Sequence, residues 1–177
     1  MNYELPLSQA LAFVPPNSVI EKFDELRDSL PDDIYDQLEQ WLAYFIQTWV
    51  GPVRRNVRRQ PLYPVVWWNV YQRVLDDRAR TNNSIEGWHR AFDQRVSCTH
   101  PSLRRISEKL RKEQASFELL VEQFQAGLPL PPQKKRYRLR DARIKTIVQN
   151  YGQYKATNNF LRAIAHNIEL FLFVDVF

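Results

Sequence analysis

Four glycines, one cysteine, one methionine and three histidines in 177 residues are the scarcities of this chain. So few glycines disfavour a many-turned β architecture, which needs residues tolerant of positive φ at its turns. A single Cys98 excludes an internal disulfide and suits an intracellular protein. Cys98-x-His100 is not a zinc signature, because a structural zinc site wants four ligands and the other histidines are only His89 and His166. No uncharged apolar run reaches the roughly 18 residues of a membrane span. Met1–Leu7 contains Glu4 and no basic region, so no signal peptide is expected.

What is abundant is apolar, aromatic and basic. Hydrophobic residues make up 44% and aromatic residues 13%, enough for a core, and the length suits one domain or a large fragment of one. The net charge of +5 conceals an asymmetry. Residues 1–50 hold two basic and nine acidic side chains, whereas residues 51–112 hold fourteen and five. In that basic segment arginine outnumbers lysine, and the guanidinium fork matches phosphate oxygens.

Apolar spacing predicts helices along most of the chain. Leu7–Val14 reads as a short helix stopped by Pro15-Pro16. Asn17 then caps a helix with Val19, Ile20, Phe23 and Leu26 on one face. Pro31–Val50 carries the stripe Ile34, Leu38, Trp41, Leu42, Phe45 and Trp49, with Pro31 near its first position and Asp32 and Asp33 suited to the positive helix end. Asp24, Glu25, Asp28, Asp36 and Glu39 read as solvated outer faces. Gly51-Pro52 breaks the pattern, and Arg54, Arg55, Arg58 and Arg59 fall in an irregular link that is either a phosphate grip or a basic connector. Val65–Leu75 reads as one helix whose Trp67 and Trp68 are core anchors or a base-stacking platform.

His100-Pro101 is expected to open a long helix, with Pro101 in its first turn and the apolar stripe Leu103, Ile106, Leu110, Phe117, Leu120, Val121 and Phe124 facing a core. Arg104, Arg105, Lys109, Arg111 and Lys112 take the opposite side. Gly127 should end that helix. Pro129, Pro131 and Pro132 make a stiff linker, followed by the basic cluster Lys134, Lys135, Arg136, Arg138 and Arg140, a nuclear-import segment, a phosphate contact or a solvated turn. Helices over Ala142–Tyr154 and from Asn158 or Asn159 close the chain, with a largely apolar tail from Leu170 to Phe177. The second Thr-Asn-Asn, at 157–159, reads as a cap and not a repeat.

The densest chemistry is Arg80-Thr81-Asn82-Asn83-Ser84-Ile85-Glu86-Gly87-Trp88-His89. Asn83 and Glu86 have capping-box spacing, and Ile85, Trp88, Phe92 and Val96 form one helical stripe. Arg90 and Asp93 share a flanking face with Glu86. Glu86 is therefore either a capping glutamate paired with Arg90 or a carboxylate aimed at a divalent cation.

This block, with Leu11-Ala12-Phe13-Val14-Pro15-Pro16, Trp68-Asn69-Val70-Tyr71, Thr99-His100-Pro101-Ser102 and Lys112-Glu113-Gln114, resembles the C-terminal part of Mutator-like element (MULE) transposases over most of residues 7–125. The resemblance implies the all-α portion of an RNase-H-like catalytic region, with seven or eight helices here. The first part spans residues 1–126, followed by a linker over 127–140 and C-terminal helices over 141–177. It also implies that Glu86 is the third acid of an Asp-Asp-Glu triad holding Mg²⁺ or Mn²⁺ in an intact enzyme. Both partner Asp residues would lie on strands upstream, and no Asp before Glu86 has such a setting. The expectation is therefore a nuclear, DNA-associated protein that neither cuts nor joins DNA alone, contacting phosphate through Arg54, Arg55, Arg58, Arg59, Arg80, Arg90, Arg104, Arg105, Lys109 and Lys112. One rival is a helical protein–protein module. The other is a nuclease fragment completed by a chain that carries the missing Asp residues.

Overall fold

The computed structural model describes residues 4–80, 83–129 and 134–168, apart from the side chains at 4–6, 83 and 84. Its α-helices are α1 Glu4–Ala10, α2 Val19–Asp28, α3 Asp32–Phe45, α4 Val65–Trp68, α5 Tyr71–Leu75, α6 Asn83–Val96, α7 Leu103–Gln125, α8 Lys135–Gln149 and α9 Thr157–Ala165. Eight of them are five residues or longer, so the expected all-α class is the one observed. Two compact units emerge, residues 1–80 with 136–177 and residues 81–135.

In the first unit, α1 runs into a 3₁₀ turn at Leu11–Phe13, and Val14 turns extended ahead of Pro15-Pro16, as the residue before a proline must. Asn17 is not the cap of α2. A backbone turn from Ser18 N to Pro15 O (2.8 Å) makes Ser18 the residue whose carbonyl takes the first helical bond, from Lys22 N. Pro31 likewise stands one place earlier than expected, as the N-cap of α3, its carbonyl accepting from Ile34 and Tyr35. The α3 stripe continues through a π-helical segment, Ile46–Val50, which ends at Gly51 (φ 94°) with a bond from Gly51 N to Ile46 O of 2.7 Å. Only glycine fits at 51: a Cβ there would lie 2.0 Å from the Arg59 carbonyl oxygen.

The link after Gly51 is not irregular. β1 Val53–Arg54 and β2 Val57–Arg58 pair antiparallel about the two-residue turn Arg55-Asn56. Both turn residues have positive φ (53° and 59°), the handedness that matches strand twist in a tight hairpin. Nor is Val65–Leu75 continuous. Asn69 is extended and breaks it into α4 and α5. Its side-chain Nδ2 donates to Val14 O (2.8 Å), its Oδ1 accepts from Tyr71 N (3.0 Å), and the next backbone amide, Val70 N, donates to Ala12 O (2.8 Å). These bonds replace the helical ones.

Around these segments lies one core. Leu11, Phe13 and Val14, Val19, Phe23 and Leu26 of α2, Leu42 and Phe45 of α3, Val70 and Val74, Ile144 and Val148 of α8, and Phe160, Leu161 and Ile164 of α9 are buried together. Phe160 sits edge-on to Tyr151 (4.9 Å) and Tyr154 (5.4 Å). Thr157 Oγ1 donates to the Glu25 carboxylate and Asn158 Nδ2 donates to Ser29 Oγ (3.1 Å), which ties the start of α9 to α2. Thr157 is the first residue of α9 and Ala156 its N-cap, so neither Asn158 nor Asn159 starts the helix.

The second unit is α6 packed on α7. Trp88 stacks on Phe92 (5.2 Å, 16°), Val96 is buried, and Arg95 pairs with Glu113. Pro101, expected in the first turn of this helix, precedes it: Ser102 caps α7, its Oγ accepting from Arg105 N at 3.3 Å. The expected core face of α7 is largely uncovered. Ile106 and Leu120 are half-buried, but Leu103, Leu110, Phe117, Val121 and Phe124 are exposed. One neighbouring helix covers only one flank of an amphipathic stripe. Gly127 follows α7 at φ 84°, as a residue past a helix end should. Apart from Lys134, the basic cluster expected in the linker is helical, since α8 begins at Lys135. The cap at Asn83, the prolines at 131 and 132 and the apolar tail from 170 lie outside the described side chains or residues.

Candidate nucleic-acid interface

In the first unit the four clustered arginines divide. Arg54, Arg55 and Arg59 are exposed on the hairpin. Arg58 is not: its Nη1 donates to Gly51 O (2.9 Å) and its Nη2 to Asp24 Oδ2 (2.6 Å), with 24% of its side chain accessible. Arg58 thus fixes the hairpin to α2, and Asp24 is a partner in this anchor rather than a solvated outer acid. The alternation of a strand produces the split: on β2, Arg58 turns toward the helix while the turn pushes its neighbours outward.

Arg80 is also a structural cation. It pairs with Asp141 of α8, and its guanidinium lies 5.8 Å from the centre of the Phe13 ring. Burial lowers its pKa, the nearby Asp141 opposes that, and Arg140 adds to the lowering. Only 17% of the side chain is accessible, so Arg80 does not present a phosphate-binding fork.

The first unit also holds a basic groove that sequence reasoning missed in part. Arg136, Arg140 and Arg143 of α8, at helical spacing, line it with His166 and Asn167. The signal was there in the i, i+4, i+7 arginines, which share a face only if α8 begins as early as Lys135. The guanidinium groups of Arg136 and Arg140 lie 5.7 and 5.2 Å from the Tyr137 ring centre.

Trp68 and Trp67 part company. Trp68 packs against the core, and its Nε1 donates to Tyr63 O at 3.2 Å. Trp67 is 67% exposed.

In the second unit, Glu86 occupies the exposed first turn of α6, with Arg90 exposed one turn on. Among the described residues no hydrogen bond or ion pair engages Glu86, and no three His, Cys, Asp or Glu side chains converge. Asp93 is seven residues along the same helix, about 10 Å by helical rise, too far to share one ion with Glu86. The residues present therefore offer one carboxylate where a pair of divalent ions needs several. On α7, Arg104 Nε donates to Glu108 (2.9 Å) while its side chain stays 89% accessible. Arg105 Nη2 donates to Ser97 Oγ (3.2 Å). Lys109 is half-buried, and Arg111 and Lys112 are exposed.

No family model, curated protein or solved structure matches this chain. No helix among the described residues is long and apolar enough to cross a membrane.

Proposed function

We propose that this is a transposon-derived, DNA-associated helical protein of the MULE transposase type that holds phosphate without cutting it alone. The observation that carries the reading is the hairpin. A two-residue turn holds Arg54, Arg55 and Arg59 exposed, while Arg58 anchors the hairpin to α2. A paired stem carrying exposed guanidinium groups suits backbone contact, which positions a protein on a duplex without reading sequence. The second unit carries exposed cations of its own, Arg90, Arg104, Arg105 and Lys112.

In an intact enzyme of this type the two Asp residues would lie on strands upstream, and Glu86 would help them hold Mg²⁺ or Mn²⁺. Such a protein works in the nucleus, and Lys134–Arg140 would serve import. The test is fluorescence anisotropy of a short labelled duplex between 50 and 200 mM salt. Affinity should fall steeply across that range. Binding that is absent at the low end, or indifferent to salt, overturns the proposal. The rival reading, a nuclease fragment completed by an Asp-bearing chain, predicts instead Mg²⁺-dependent cleavage on mixing with that chain, lost in Glu86→Gln.

A further inference from the structure

The uncovered face of α7 has an internal symmetry that identifies its occupant. Leu103, Ile106, Leu110, Phe117, Val121 and Phe124 are spaced 3, 4, 7, 4 and 3 residues apart, the same in either direction. At 100° per residue they fall within an arc of about 60°. Five of the six are exposed, Leu103 at 84%, Leu110 at 43%, Phe117 and Val121 at 52% and Phe124 at 58%. The α6 helix takes only the adjoining flank, where Ile106, Lys109, Glu113 and Leu120 are half-buried.

We infer that a second copy of this chain covers that stripe, with the two α7 helices antiparallel about a dyad between Glu113 and Gln114. That axis sets Leu103 opposite Phe124 of the second copy, Ile106 opposite Val121 and Leu110 opposite Phe117, all by the one symmetry operation. These are the mixed layers in which antiparallel helices interlock. Gln114 supplies a polar layer at the centre, since Glu113 is held on the α6 flank by Arg95. A polar layer within an apolar seam fixes register, because any slip buries it against hydrocarbon.

Charge selects the orientation. On the flank away from α6, Arg104 and Arg111 lie in the first half of the helix and Glu118 and Glu122 in the second. Parallel pairing would set this flank against the side that α6 covers and leave its arginines and glutamates without a counterpart. Antiparallel pairing brings Arg111 beside Glu118 of the second copy and Arg104 beside Glu122, so like charges are separated and unlike charges meet.

Sedimentation velocity of the full chain in reductant tests this, with Cys98→Ser to exclude adventitious disulfides. A concentration-dependent dimer is expected in the micromolar range. Leu110→Glu and Phe117→Glu should each abolish the dimer boundary while leaving the far-ultraviolet circular dichroism unchanged, since neither side chain is part of the core. Glu118→Lys should weaken the dimer, and adding Arg111→Glu should restore it. For orientation, Leu110→Cys and Phe117→Cys chains in the Cys98→Ser background are mixed under a glutathione redox buffer. Disulfides should join unlike chains in preference to like ones. A monomer at all concentrations, or cross-linking of like with like, overturns the inference.

Discussion

Arg58 and its three neighbours allow stability and DNA binding to be separated at adjacent positions. Arg58→Ala removes two hydrogen bonds, to the Gly51 carbonyl and to Asp24. Charged hydrogen bonds contribute about 1.5–3 kcal/mol each. Both partners here are a quarter to a third accessible, and Asp24 keeps Arg27 at 3.3 Å, so a total of about 2–3 kcal/mol is the reasonable figure. For a chain of this size that lowers the melting midpoint by about 4–12 °C. Calorimetry reads this directly, and a double-mutant cycle with Asp24→Asn isolates the pair. Well below the lowered midpoint, Arg58→Ala should leave the salt dependence of DNA affinity unchanged. Replacing Arg54, Arg55 and Arg59 together with alanine should do the reverse. The stability stays near wild type, and the slope of log affinity against log salt falls by about 2.7, at about 0.9 per phosphate. If Arg58→Ala melts like wild type and loses about one unit of slope, Arg58 faces phosphate and the anchor assignment is wrong.

Three further outcomes follow from the same structure. Phe160→Ala opens a cavity between Tyr151 and Tyr154 and should cost about 3–5 kcal/mol in denaturant unfolding, whereas an exposed α7 residue such as Leu103 should cost little in a monomer. Gly51→Ala combines a left-handed backbone with a 2.0 Å approach to the Arg59 carbonyl, and should destabilise by at least about 2 kcal/mol, read as a shift in the chemical denaturation midpoint. Lys22, and after it Thr157, hold Glu25 below its ordinary carboxyl value of 4.5. A lowered folded pKa means that this stabilisation is present above that value and fades as pH falls through the folded one, so the melting midpoint should drop in acid and Glu25→Gln should flatten that limb.

Helix periodicity was a faithful guide where a stripe ends at a core. Phe23, Leu26, Leu42, Phe45, Ile144 and Val148 are buried as their spacing requires. It failed where a side chain competes with the backbone: nothing in the run Val65–Leu75 distinguishes Asn69 as a residue that bonds Val14 and Tyr71 instead of continuing the helix. The hairpin was hidden because Arg55-Asn56 lacks the glycine that usually marks such a turn. The stripe of α7 was legible, but what covers it was not, since periodicity reports a face and not its neighbour. The same limit applies to the candidate site: spacing grouped four arginines, and only the pairing with Asp24, 34 residues earlier, separates the anchor from the other three.

The first unit is assembled from two stretches far apart in the chain, residues up to 80 and residues from 136, with the Arg80–Asp141 pair at the seam. Its hydrophobic interior therefore stays open at the ribosome until α8 and α9 have been made, long after α6 and α7 have emerged. Replacing the 55 intervening residues with a linker of about six would shorten the closing loop and recover about 2 kcal/mol of chain entropy. In topological terms α6 and α7 are inserted in the sequence of a unit whose two halves come from distant parts of the chain, and closing that loop carries an entropic cost.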